Sequence, residues 1–444
     1  MMRWDTVRHA GLVDAPANLA MSLGHTVAIT DTGGEGRTCH QLDDYTCGCS
    51  RGNFTMSSLL IVNLGAVVSG DWRQPLHNAS SIYIEDGRIA ELPSSRSDAD
   101  TIIDARGLIA APGLIDTHVH PTFGDFTPTQ NSVGWQQAYL HGGVTSLVSA
   151  GELHVPGLPL EHPEPKLFKY LSVLAKRCAD HLTHNGPRLY AGTLLLTPGL
   201  TEADFDEIAA EGVGCVKFIF YPYGDDEVES DNYVRWCHER NVVVKIHTGG
   251  VSRSGVSRPA GYEVLKAIQP DVAAHITGGP IPMPLSEMEA VVKEMHCALE
   301  IATAGSFRRD IELMQMVHKV GALDRIIVGT DTPSGTGVLP RAMLRNVALL
   351  ASLCDVSPAV AWCLATGNAA RAHRLEAGLL QEGKPADLVL IGRIKGSEGK
   401  DGLDGLTIGD IRGISFVIVN GEIVLRDRSE QTPPPETLAV IEKA

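Results

Sequence analysis

Between residues 108 and 354, short apolar runs alternate with helical stretches, and this alternation restricts the fold more than any other feature. Eight runs read as strands: LIAAPGLIDTHVH (108–120), VTSLVSAG (144–151), RLYAGTLLL (188–196), CVKFIF (215–220), VVVKIHTGG (242–250), DVAAHITGG (271–279), CALEIATAG (297–305) and RIIVGTD (325–331). Helical segments separate most of them, among them 166–182, 202–212 and 309–321, and another at 340–354 follows the last strand. Eight β-α units in this length predict a (β/α)8 TIM barrel of the α/β class. An open doubly wound sheet is the next best fit, but no glycine-rich dinucleotide fingerprint follows the first strand. With 444 residues, 43% hydrophobic, the chain can bury one large core and a smaller one.

The flanks have another texture. Residues 57–107 hold short strands, with Glu85-Asp86-Gly87 marking a hairpin turn. The same pattern returns at 386–392 and 414–427, where Asn420-Gly421 is a second hairpin signal. Segments 56–107 and 377–435 are therefore expected to share a small β-sandwich, leaving 108–376 as the barrel. Residues 1–55, rich in Thr, Gly and Asp and without periodicity, read as an N-terminal extension, disordered or upstream of the natural start.

A net charge of −16 argues against a nucleic-acid partner or an anionic membrane surface. No apolar run has transmembrane length, and the first residues lack the apolar core of a signal peptide. Nine scattered cysteines suggest no disulfide framework and point to a reducing, cytoplasmic setting. Cys39, Cys47 and Cys49 have poor spacing for a metal site, and the sequons at Asn53 and Asn78 are expected to stay unused.

In a (β/α)8 barrel the site lies at the C-terminal ends of the strands. His118 and His120 end the first strand and, two apart, point the same way. His247 ends the fifth strand, His275 the sixth and Asp331 the eighth. Each alone has an ordinary reading as a core histidine or a turn aspartate. Together they are the ligand types of a divalent-cation site. Lys217 alternates with Val216 and Phe218, so it faces the interior if they face the helices. Burial would lower its pKa, and a neutral lysine can take up carbon dioxide as a carbamate; pairing with a carboxylate is the alternative.

This combination resembles the amidohydrolase superfamily: H-x-H on the first strand, a bridging residue on the fourth, histidines on the fifth and sixth, aspartate on the eighth. The stretches DTHVHPTFGDFTP, LHGGVTSLVSAGELHVPG, HITGGP and GTDTPSGTGVLPRAMLRN resemble, within it, members that hydrolyse a cyclic enamide. The likeness runs from about residue 57 to 435. Some members bridge with a glutamate; CVKFIF has none, so Lys217 looks like the carboxylated lysine of the hydantoinase and dihydroorotase branch.

The resemblance implies a binuclear hydrolase of a C–N bond in a small cyclic amide, working through a metal-activated hydroxide. His118, His120 and Asp331 would hold one cation, His247 and His275 the other, with carboxylated Lys217 between them. Zinc is the expected metal, with iron or manganese compatible with the same ligands. Asp331 would carry the proton from water to the departing nitrogen. Thr248, Gly249, Gly250, Thr277, Gly278 and Gly279 lie just beyond ligands, where backbone can approach a small ring, though plain strand-to-helix turns account for them equally well; Arg253 could pair with a substrate carboxylate, but a solvated surface arginine is the better account of it. The resemblance also implies a homotetramer. The rivals are a mononuclear aromatic-ring deaminase of the same superfamily and a non-catalytic, hydantoinase-like scaffold.

Overall fold

The apolar runs form strands that pair in parallel. Leu114–Val119, Val144–Ser149 and Arg188–Tyr190 make one sheet. Leu194–Leu195, Cys215–Phe218, Val243–His247, Val272–Ala274, Ala298–Ala302 and Ile326–Gly329 make a second. The run at 188–196 splits into two short strands, ending one sheet and beginning the other. At the outer edges Val119 bridges Thr332 in parallel, and the Asp331 amide donates to His118 O at 2.8 Å. This computed structural model describes residues 58–443 except 129–130, 153, 183–185, 220–226, 252–256, 280 and 334–336. The extension at 1–55, with Cys39, Cys47, Cys49 and Asn53, lies outside the described residues.

Helices follow the strands, including Pro165–Asp180, Glu202–Ala210, Glu227–Glu239, Tyr262–Ile268, Leu285–Glu294, Phe307–Val320 and Ala342–Leu353. Pro165 opens the first of these, where its missing N–H is no loss, and Gly321 closes Phe307–Val320 with φ of 70°. The alternation of strand side chains sorts them by face. Val216, Phe218, Val244 and Ile246 pack in one apolar cluster with helix residues such as Phe205, Tyr233 and Leu265. On the opposite face Cys215, Val243, Val272 and Ile327 form a small apolar layer. Two residues further along their strands come Lys217 and Lys245, in register with each other. The strands therefore rise from an apolar floor to a polar, ionisable end.

Both chain ends build two further sheets. Val440–Lys443, Thr101–Asp104, Ser58–Val62, Ile82–Glu85 and Arg88–Glu91 form one. Glu422–Leu425, Gly413–Val419, Leu388–Gly392, Ile109–Pro112, Ala66–Val68 and Leu76–His77 form the other. Residues from both, including Leu59, Ile61, Ile84, Leu388, Phe416 and Ile418, share one buried apolar cluster. Both hairpins form as their turns predict, with Asp86 and Gly87 at φ of 50° and 76° and Asn420 and Gly421 at 52° and 77°.

Two boundaries differ from the sequence reading. The run at 108–120 is not one strand: Ile109–Pro112 pairs with Leu388–Gly392, whereas Leu114–Val119 pairs with Val144–Ser149. Gly113 sits between them because a Cβ there would fall 2.0 Å from Thr145 Oγ1. The C-terminal segment also continues past 435, since Val440–Lys443 pairs with Thr101–Asp104. Among the described residues no helix is long and apolar enough to cross a membrane. The described cysteines, Cys178, Cys215, Cys237, Cys297, Cys354 and Cys363, are free thiols.

Candidate metal centre

Six side chains converge where the parallel strands end. His118 Nε2 lies 3.0 Å from Lys217 Nζ and 3.7 Å from Asp331 Oδ1. His120 Nε2 lies 2.9 Å from the same carboxylate oxygen. His247 Nδ1 and His275 Nε2 are 3.1 Å apart, and the His275 ring centroid is 5.1 Å from that of His118. The ligand atoms of His118, His120 and Asp331 lie within 4.8 Å of one another. Gly329 allows this approach, since a Cβ there would stand 2.8 Å from His118 Cβ.

Three of the four imidazoles are oriented from behind. His118 Nδ1 bonds to Glu300 Oε1, His120 Nδ1 lies 2.8 Å from Gly151 O, and His247 Nε2 lies 2.9 Å from Gly250 O. A carboxylate or carbonyl only accepts, so each of these nitrogens carries the proton. In His118 and His247 the other ring nitrogen then presents a lone pair toward the cluster, the arrangement of a metal-binding histidine, whereas His120 Nε2 faces the Asp331 carboxylate. Among the described residues, His275 Nδ1 is buried with no hydrogen-bond partner. Two of the six residues also have left-handed backbones that favour glycine: His275 at φ of 38° and Asp331 at 64°. Such conformations cost on the order of 1–3 kcal/mol and persist where the surroundings hold them.

The electrostatics suit cations. Burial holds His118 and His275 neutral, far below the ordinary imidazole range, and lowers His247 to about 4. Burial and the neighbouring Lys245 charge bring Lys217 down to about 7. Burial pushes the Asp331 carboxyl up, the hydrogen bond from His120 pulls it down, and the group stands well below the carboxylate range. The neutral imidazoles of His118, His247 and His275, an ionised carboxylate and a depressed amine form a donor set that fits divalent cations.

Several residues of the site escaped sequence reasoning. Glu300, fully buried, faces the Lys245 ammonium at 3.1 Å and His118 on its other oxygen. This pair explains why the two lysines in register differ: among the described residues Lys245 has a carboxylate partner and Lys217 sits in no ion pair. Asp116, raised to about 7 by burial, accepts from the amides of His118 and Thr330 at 3.1 and 3.0 Å. Glu152, raised to about 8 by burial, accepts from the Gly192 amide at 2.7 Å and the Ser149 hydroxyl at 2.9 Å. A signal existed. Asp116 and Lys245 each stand two residues before a strand-end histidine, hence on the same face.

Several of the loop residues beyond these side chains are engaged by the protein itself. The Thr248 hydroxyl donates to Ala274 O at 2.8 Å. Gly249 exchanges hydrogen bonds with Ala260, and the Gly250 amide donates to Ile281 O at 2.8 Å. The Gly278 amide donates to His275 O, Thr277 is fully buried, and Gly279 lies against the His275 ring. Arg253 lies outside the described residues.

A parallel α/β fold with imidazoles, a carboxylate and a depressed lysine at its strand ends defines a metal-binding enzyme class. The chain belongs to the amidohydrolase family, whose pattern it matches over residues 109–424. It is similar to enamidase from Eubacterium barkeri, with 38% identity over 391 residues, 87% of this chain and all of that protein. The crystal structure of an enamidase superposes with a TM-score of 0.81 at 36% identity, over 87% of this chain and 100% of the other. An imidazolonepropionase from Staphylococcus aureus is 26% identical over 366 residues, covering 70% of this chain and 82% of its own length. A zinc complex of atrazine chlorohydrolase from Arthrobacter aurescens TC1 shares the fold, with a TM-score of 0.57 at 18% identity over 84% of this chain and 96% of the other.

Proposed function

We propose that this protein hydrolyses a C–N bond of a small cyclic amide, with an enamide the leading candidate, at a dinuclear metal centre. The observation that carries this is the set of imidazoles whose outer nitrogens are held by Glu300, Gly151 O and Gly250 O while their inner nitrogens meet Asp331 and one another. The relation to enamidase supports the substrate class.

The two parallel sheets are read as one closed (β/α)8 barrel, supported by the Val119–Thr332 bridge and the shared segment at 188–196. The barrel would span 114–376. The two terminal sheets, from 58–112 and 377–443, would form the sandwich around their common core. His118, His120 and Asp331 would hold one cation, and His247 and His275 the other. Lys217, whose neutral amine can add carbon dioxide with loss of one proton, would bridge them as a carbamate. Zinc is the preferred metal, with iron and manganese suited to the same ligands.

Two bound divalent cations would supply Lewis acidity and a water acidic near neutral pH. Asp331, ionised and hydrogen-bonded to His120, takes the proton of the attacking water and delivers it to the departing ring nitrogen. The strained backbone of Asp331, tied to His118 O, fixes that carboxylate before substrate arrives. Thr248, Gly249, Thr277 and Gly278 would shape the pocket rim through their backbone, and Arg253 would meet a substrate carboxylate. A homotetramer in the reducing cytoplasm completes the reading.

Elemental analysis joined to a screen of lactams, cyclic imides and cyclic enamides tests it. Two cations per chain and ring opening of one of these classes are expected. One cation with ammonia release would favour the deaminase, and no cation the scaffold.

A further inference from the structure

Glu300, on the strand Ala298–Ala302, is buried where three other segments meet. One oxygen bonds to His118 Nδ1 and lies 3.2 Å from the His275 amide. The other lies 3.1 Å from the Thr117 hydroxyl and 3.1 Å from Lys245 Nζ. Lys245 in turn reaches Thr117 O at 2.5 Å, so the carboxylate is neutralised where it stands. His118 and His275 belong to opposite halves of the ligand set, and Glu300 touches both: one through its ring, the other through its left-handed backbone.

We propose that Glu300 is a positioning residue that holds one ligand of each cation site, so that the two sites are set by a single buried carboxylate. The inference rests on the dinuclear reading above. Acceptance from His118 Nδ1 fixes the tautomer that leaves Nε2 free for a cation. Acceptance from the His275 amide holds the turn that aims its ring. Lys245 acts through Glu300 as its counter-ion and touches neither cation.

The test is a cobalt(II) titration of chelator-stripped protein, read by visible absorption and by equilibrium dialysis. Wild type is expected to take two equivalents. Glu300→Gln should bind both equivalents about 10–100-fold more weakly, with shifted cobalt bands. Unchanged affinity, or weakening confined to one equivalent, overturns the proposal. Circular dichroism of the metal-free variants checks folding. If Glu300→Gln does not fold, the double variant Lys245→Met/Glu300→Gln, which leaves no unpaired buried charge, carries the test. Equal weakening in the double variant supports the role; wild-type affinity there reduces Glu300 to charge balance and overturns it. Fewer than two equivalents in the wild type would instead remove the dinuclear reading, a failure distinct from that of Glu300.

Discussion

The apolar cluster shared by the terminal sheets and the polar face of the parallel strands are both sealed from water, yet they are made of opposite materials. Leu59, Ile61, Ile84, Leu388, Phe416 and Ile418 fill the first, all at most 4% exposed. Asp116, His118, Lys217, Lys245 and Glu300 occupy the second, all at most 1% exposed. Apolar burial stabilises in proportion to area and needs no partner. Buried ionisable groups cost stability unless each finds its complement. The first region therefore holds the molecule together. The second spends part of that stability on a fixed arrangement of donors, as sites of chemistry do.

The comparison can be broken most sharply at Asp331. Asp331→Asn should lower kcat/KM on a cyclic amide by about 10²–10⁴-fold while leaving the unfolding transition in place. Near-wild-type kinetics would remove Asp331 from proton transfer. The next largest effect separates the two lysines. Lys245→Met leaves Glu300 buried without its counter-ion and should cost about 3–5 kcal/mol in urea unfolding. Lys217→Met removes an amine that has no carboxylate partner among the described residues, and should be close to neutral for stability while abolishing turnover. Equal stability losses in the two variants would show that the lysines are not distinguished by Glu300.

In the apolar region, Phe416→Ala should cost about 3–5 kcal/mol through the cavity it leaves, with kcat per folded molecule unchanged. A changed kcat would mean that the terminal sheets do more than stabilise. The smallest effect concerns pH. Glu152 has a folded pKa of about 8 against an ordinary 4.5, so its protonated form contributes stability in full below pH 4.5. That contribution fades as pH rises and is gone above about 8. Glu152→Gln carries no such dependence, so it should gain on wild type from pH 4.5 to 8, ending on the order of 1–3 kcal/mol ahead. Melts that run parallel across this range would place the Glu152 carboxyl in a wetter setting than the structure gives it.

Much of this was legible before any fold was known. Strand alternation and apolar runs mark the parallel strands because each strand must bury both faces. His118 and His120 announce a common direction because the strand repeat is two. Asp86-Gly87 and Asn420-Gly421 announce hairpins because the turn needs positive φ. Glu300 was not legible, since a single glutamate in an apolar strand says nothing of what faces it. Gly113 was not legible either, because the apolar run continues on both sides of it and only Thr145, far along the chain, forbids a side chain there.

Local chemistry in the sequence thus determined which segments are strands, which turns reverse them and which side chains can bind a cation. Tertiary structure alone decided which lysine is paired and which is left open. That choice depends on a carboxylate 55 residues away from Lys245, brought beside it by strand pairing. No local pattern encodes that distance.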